Sequence, residues 1–266
     1  MAENGGEGHG PLHQFEISPL FGGTDIVPAA DGAGPAAQQA LAFYTFTNSS
    51  LAMWVGVAVV TLTLWLGVRR PHLVPTRLQS LAEISYEFIA NMIRDNVGSE
   101  GRKYFGFIFT LFMFVFAGNM LGMIPYSFTY TSHIVVTFMM AAVVFIGVTV
   151  IGFMKHGLKF FGFFLPSDVP IFLAPLLIPI EVLSYFTRPV SLALRLFANM
   201  TAGHTMLKVF ASFVAPLAGA TFIVGGIIPL ALVTALTGLE FIIAFLQAYV
   251  FTILSCVYLH DALHMH

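Results

Sequence analysis

Of the 266 residues, 58% are hydrophobic, 28 are Phe and only 9% are charged, against about 25% charged in a soluble domain. So few polar residues cannot cover a globule, so most of the surface has to face lipid or a partner subunit, and the chain reads as an integral membrane protein. With 11 Lys and Arg against 13 Asp and Glu there is no basic excess to neutralise phosphates, which excludes nucleic acid as a partner, and the single Cys256 excludes an internal disulfide.

Residues 1–50 contain no Lys or Arg, and Gly, Pro, Ala and Asp dominate from Thr24 to Gln39. They read as an extended lead-in. A secretory signal needs a basic start, a short apolar core and a small-residue cleavage site; none of these precedes Leu51, so the segment is expected to be retained. Residues 51–266 then form a single membrane domain. Leu51 to Val68 is an uncharged run, long enough to cross about 30 Å of hydrocarbon at about 1.5 Å per residue. After Arg69, Arg70, His72 and Arg77, the stretch Leu78 to Val97 repeats Leu78, Leu81, Ile84, Ile89 and Ile93 beside Glu83, Glu87, Arg94 and Asp95, the pattern of an amphipathic helix lying at the interface. Tyr104 to Pro125 and Ile134 to Met154 are again uncharged and form a hairpin of two further spans, turned at Pro125 and Tyr126 and followed by Lys155 and Lys159.

The remainder is less regular. Pro166 to Pro216 is apolar but interrupted by Asp168, Pro170, Pro175, Pro179, Glu181, Arg188, Pro189, Arg195 and Lys208, whereas Thr221 to Leu259 has Glu240 as its only charge. Both exceed an upright span, so each has to lie strongly tilted or break, the second at Gly225, Gly226 and Pro229. The expected fold is therefore all-α, with about five crossings, the last two long and tilted, plus the interfacial helix. Eight of the basic residues (Arg69, Arg70, Arg77, Arg94, Arg102, Lys103, Lys155 and Lys159) fall in the two loops that this count puts on one side. By the positive-inside rule those loops are cytoplasmic, the N-terminus lies outside and the C-terminus inside.

Arg195 lies within the apolar region and cannot escape the cost of burial by losing its proton. On a helix Ser191 and Asn199 flank it by one turn each and form a polar stripe. His204 follows by nine residues, about half a turn round and about 13 Å along, so the two do not serve one compact site. Glu240 and Gln247, seven apart, share a face with Thr237 and Ala244. Taken singly, each is a hydrogen-bonded core residue. Together, a buried acid, an imidazole and a fixed positive charge on a separate face are what proton conduction with a barrier requires.

The string Arg188-Pro-Val-Ser-Leu-Ala-Leu-Arg195-Leu-Phe-Ala-Asn199-Met-Thr-Ala-Gly-His204 resembles the signature of subunit a of rotary ATP synthases. Leu246 to Phe251 with Val257-Tyr258-Leu259 resembles the end of that family's last helix, and Pro11 to Ile17 its N-terminal stretch in alphaproteobacterial members. Many members carry an acid where this chain has His204 and a histidine where it has Glu240; the exchanged pair is similar to mitochondrial members. The resemblance implies a non-catalytic, proton-conducting stator subunit of the bacterial inner membrane, packed against a ring of subunits c, with peripheral-stalk subunits b and the rest of the synthase as further partners. It implies two offset half-channels, a proton path through Ser191, Asn199, His204, Glu240, Gln247 and Glu181, and Arg195 as the stator charge that strips the proton from each passing rotor carboxylate.

Two rival readings differ in class. An intramembrane hydrolase needs a nucleophile and base or a His-Glu-x-x-His metal site, and neither occurs on a span. An autonomous ion-coupled secondary transporter is the alternative, but inverted repeats do not show. His260 and His264 are one turn apart, yet without a neighbouring carboxylate set they read as solvated rather than metal-bound. Gly5-Gly6 and Gly225-Gly226 lack the strand and Lys of a phosphate loop, so neither cofactor nor metal is expected.

Overall fold

In the computed structural model of the chain the described residues are 47–69, 72–124, 128–157, 160, 174–220 and 224–264. The N-terminal lead-in, the turn at Pro125 and Tyr126, Lys159 and the stretch around Asp168 lie outside them. Six long helices follow: α1 (Asn48–Val68), α2 (Arg77–Asn96), α3 (Phe105–Gly122), α4 (Ile134–His156), α5 (Ala174–Ala220) and α6 (Val224–Leu263). Five stretches are long and apolar enough to cross a membrane, and these carry α1, α3, α4, α5 and α6. The fold is that of an all-α integral membrane protein.

Local chemistry sets the boundaries. Thr47 caps α1 by accepting from the Ser50 amide, and Thr76 caps α2 from the Gln79 amide, each using a short side-chain oxygen to satisfy an otherwise orphaned N–H. The chain leaves α4 through Gly157 at φ +58°, which only glycine adopts at little cost. A 3₁₀ segment, Ser99–Tyr104, leads into α3, and a 3₁₀ turn, Tyr130–Ser132, leads into α4.

Of the two alternatives for the last segment, strong tilt or a break, the break does not occur. Helix α6 runs unbroken from Val224 to Leu263 with Pro229 inside it, and α5 runs through Pro179, Pro189 and Pro216. Pro229 stands only one turn and a half into α6, where its missing N–H deprives a single carbonyl of a partner. At about 1.5 Å per residue, 47 and 40 residues extend to roughly 70 and 60 Å. Both helices exceed the hydrocarbon thickness about twofold, so in a bilayer tilt remains as the way to accommodate them.

Helices α5 and α6 pack antiparallel along their length, α3 lies against α6, and α4 lies against α5. Lipid removes the hydrophobic drive between helices, leaving close packing of small residues and interhelical hydrogen bonds to hold the bundle. Ala141, Ala244 and Ala248 are accordingly fully buried at the contacts, beside Leu192, Leu196, Met200 and Phe251. Helix α2 docks through Phe88, whose ring lies 5.5 Å from Phe112 of α3 and 5.9 Å from Tyr249 of α6. Its Leu78, Leu81 and Ile84 stay exposed on another face. Helix α1 turns Trp54, Leu62 and Trp65 outward.

Candidate functional site: a charged outer face and a buried polar ladder

Helix α5 presents two faces of opposite character. Leu192, Ala193, Leu196 and Met200 are buried against the bundle, while Ser191, Leu194, Arg195, Ala198, Asn199 and Ala202 are exposed. The predicted stripe of Ser191, Arg195 and Asn199 therefore faces outward. Among the described residues Arg195 makes no hydrogen bond and no ion pair. The other arginine of this segment differs: Nη1 of Arg188 lies 3.0 Å from Oδ2 of Asp261 on α6, and its guanidinium stands over the rings of Tyr185 and Tyr258 at 5.7 and 5.3 Å. One of the two arginines of α5 is thus matched within the chain. The other is displayed.

The α5–α6 contact carries a polar ladder, buried at His204, Glu240 and Gln247 and open to the outer face at Asn199. Nδ1 of His204 lies 3.2 Å from Oε1 of Glu240, although the two are 36 positions apart in the sequence. His204 is 8% and Glu240 3% exposed. The approach is an ion-pair contact without hydrogen-bond alignment, and both carboxyl oxygens of Glu240 remain without a hydrogen-bond donor among the described residues. Gly203 makes room for it: a Cβ at that position would stand 2.7 Å from Oε1 of Glu240. Two turns toward the other end, the Asn199 amide donates to Oε1 of Gln247 at 2.7 Å. Between the rungs Asn119 of α3, fully buried, donates to the Ala244 carbonyl at 3.0 Å.

The other edge of His204 meets the turn before α4. Nε2 lies 3.3 Å from Oγ1 of Thr129, and one turn earlier Thr201 donates to the Ser132 carbonyl at 3.1 Å. Burial lowers the basicity of His133, which precedes α4. The buried side-chain polar atoms without a hydrogen-bond partner among the described residues are both oxygens of Glu240, Nε2 of Gln247, Oδ1 of Asn119, Oγ1 of Thr131 and Nε2 of His133. Such atoms are costly in a dry interior and normally find water or a partner.

The structure thus brings together four of the residues singled out from the sequence as two rungs, Asn199 with Gln247 and His204 with Glu240. Arg195 is kept on the opposite face of α5 from His204, as the half-turn spacing predicts. Glu181 stands apart, half-buried, 14 positions before Arg195 and so about 21 Å away along the axis. Sequence reasoning missed Asn119, Thr129, Ser132 and Thr201. The hydroxyl run from Thr129 to Ser132 at the foot of an apolar span was the available signal, because polar residues there demand partners. His260 and His264 stack at 4.6 Å, and among the described residues no three His, Cys, Asp or Glu are grouped to hold a metal.

Comparison with known proteins gives the family. The family model described as ATP synthase A chain matches residues 50–260. The chain is 57% identical over 263 residues to the ATP synthase subunit a of Paramagnetospirillum magneticum, covering 96% of this chain and 99% of that protein. It is 55% identical to the subunit a of Rhodospirillum rubrum, covering 97% and 100%, and 50% identical to that of Pelagibacter ubique, covering 96% and 98%.

Proposed function

The chain belongs to the ATP synthase A chain family, and on that premise we propose that it is the proton-conducting stator subunit of a bacterial inner-membrane ATP synthase. The observation that carries this reading is Arg195, a permanent charge displayed on an exposed face of leucines and alanines without a counter-charge among the described residues. Even on the lenient insertion scale an arginine near mid-bilayer costs about 2.5–3.5 kcal/mol. A neighbouring chain that brings a carboxylate past this face relieves that cost. The ring of subunits c is that partner.

The chemistry follows from position. A fixed guanidinium a few Å from a carboxylate in low dielectric favours the ionised acid, so each rotor carboxylate gives up its proton on reaching Arg195. The same charge repels an oncoming proton and so closes the direct route between the two sides. The ladder of His204, Glu240, Gln247 and Asn199 supplies one half-channel, on the outer side. Ser191 and Glu181, on the opposite side of Arg195 along α5, belong to the second, which opens to the cytoplasm. ATP chemistry takes place elsewhere in the complex, and this chain moves protons and resists torque. Its basic loops lie in the cytoplasm with the C-terminus, its N-terminus lies outside, and the peripheral-stalk subunits b hold it against the ring.

Cross-linking tests the assignment. A cysteine at Ala198, exposed beside Arg195 on the same face, should form a disulfide with a cysteine placed next to the rotor carboxylate in the assembled complex. Cross-linking from exposed Val150 on α4 but not from Ala198 would put the ring on another face and overturn the reading.

A further inference from the structure

The turn between α3 and α4 is locked into the bundle by one side chain. Tyr130 is 1% exposed and its hydroxyl donates to the Phe114 carbonyl at 2.7 Å. Its ring fills a notch cut by glycine: a Cβ on Gly118 would fall 2.4 Å from the Tyr130 ring, and one on Gly56 would fall 3.3 Å from its hydroxyl. Gly122 likewise leaves space for Thr129, whose Oγ1 would be 2.4 Å from a Cβ there. With the ring seated, Thr129 has no freedom to withdraw. Its hydroxyl lies 3.3 Å from Nε2 of His204 and 3.4 Å from the Gly122 carbonyl.

Two acceptors within reach of one rotatable hydroxyl have a chemical consequence. When Nε2 of His204 carries no proton, the Thr129 hydroxyl turns its hydrogen to that nitrogen. When Nε2 is protonated, the hydroxyl turns its hydrogen to the Gly122 carbonyl and offers its oxygen to the N–H. Either way the far edge of the imidazole is bonded, while Nδ1 faces Glu240 across 3.2 Å. A neutral acid at Glu240 and an imidazole carrying its hydrogen on Nε2 become a carboxylate and an imidazolium when the proton passes to Nδ1, the Thr129 oxygen accepting from Nε2 throughout; beside an ionised Glu240 the neutral imidazole instead carries its hydrogen on Nδ1, and the Thr129 hydroxyl then donates to Nε2. Neither direction strands a buried N–H or lone pair on the other side of the ring. From the juxtaposition of Thr129 with His204 on one side and the Tyr130 wedge on the other, we propose that Thr129 is a positioning residue for His204. Its hydroxyl serves as a two-way partner that keeps Nδ1 aimed at Glu240 in both protonation states. The proposal rests on the half-channel role given above to His204 and Glu240.

The test uses the assembled synthase in inverted membrane vesicles, with proton-driven ATP synthesis measured per assembled complex. Thr129→Ser keeps the hydroxyl and Thr129→Ala removes it, and both leave the same space where the methyl was, so their difference isolates the hydroxyl. Serine should retain most of the wild-type rate and alanine should fall about tenfold below it, the size of one buried hydrogen bond lost in the rate-limiting state. In a His204→Ala background the Ser and Ala variants should perform alike, because the group they serve is gone. Equal rates for Thr129→Ser and Thr129→Ala with His204 present, or the same tenfold gap with His204 absent, would overturn the positioning role. If His204→Ala by itself leaves synthesis at the wild-type rate, the half-channel reading fails and takes this proposal with it. A normal His204 effect with no Ser–Ala difference removes the proposal and leaves that reading standing. Should Thr129→Ala prevent assembly, Thr129→Val, which keeps the volume and exchanges only the hydroxyl, is compared with wild type instead and should show the same tenfold loss, and a wild-type rate would overturn the role.

Discussion

Oε1 of Glu240 lies 3.2 Å from Nδ1 of His204, on the neighbouring antiparallel helix, with both side chains almost fully enclosed. Such a contact makes the two residues one titrating unit rather than two, because the charge of either depends on the proton of the other. Replacing His204 or Glu240 by Ala should each lower proton-driven rotation sharply with the complex still assembled. The exchange of His204→Glu together with Glu240→His should recover more activity than either single exchange. Strictly additive losses across that cycle, read as ATP synthesis rates, would show two independent residues.

Gly203 separates stability from function at the same contact. Alanine there favours the helix by roughly 1 kcal/mol on propensity alone. Yet its Cβ would meet Oε1 of Glu240 at 2.7 Å and Cδ at 3.2 Å, so the carboxyl has to move off the His204 edge. The Gly203→Ala complex should assemble at least as well as wild type and synthesise ATP on the order of tenfold more slowly, since small displacements of a transfer pair are costly. Unchanged synthesis would mean that the observed approach of Glu240 is not the working one.

At the far end of the same helix pair, Arg188 and Asp261 tie α5 to α6 at 3.0 Å, with side chains 23% and 34% exposed. Partial exposure keeps such a pair modest, about 1 kcal/mol. Asp261→Asn should therefore lower the thermal stability of the detergent-solubilised complex by only a few degrees, and Arg188→Ala by more, because the guanidinium also covers the rings of Tyr185 and Tyr258. A larger loss from Asp261→Asn than from Arg188→Ala in a thermal-aggregation assay would contradict this ranking.

Much of this arrangement was readable from the residues alone, and the reasons are specific. The uncharged runs of α1, α3 and α4 exceed what any soluble core supplies, and the seven-residue spacing of Glu240 and Gln247 puts them on one helical face. The opposite facing of Arg195 and His204 follows from the same geometry. Register is what periodicity could not provide. That Asn199 meets Gln247 and His204 meets Glu240 depends on how two long helices slide past each other, which the small residues Gly203 and Ala244 decide in three dimensions. The turn at Thr129 was missed because short hydroxyl residues read as loop wherever they stand. Of the two ways to fit the last segment, tilt or a break near Pro229, sequence alone could not choose; the helix stays unbroken because a proline in its second turn removes one hydrogen bond only.

Sidedness gives a separate prediction. Cysteines placed at Thr76 or Gly157 should react with a membrane-impermeant thiol reagent from the cytoplasmic side, and a cysteine at Ser18 from the outside. The opposite pattern would reverse the assignment drawn from the basic loops.

The central claim is that the charge of Arg195 both deprotonates the rotor acid and blocks direct passage of protons between the half-channels. Passive proton flux through the membrane sector of Arg195→Ala vesicles, stripped of the peripheral ATPase, measures this most directly, with ATP synthesis followed in the unstripped preparation. Arg195→Lys serves as a partial control, its point charge lacking the guanidinium's fork and shedding its proton when desolvated. Loss of synthesis together with a raised passive flux from Arg195→Ala is the predicted result, with Arg195→Lys also deficient in synthesis but less leaky. Tight Arg195→Ala membranes that still make ATP at the wild-type rate would contradict the account.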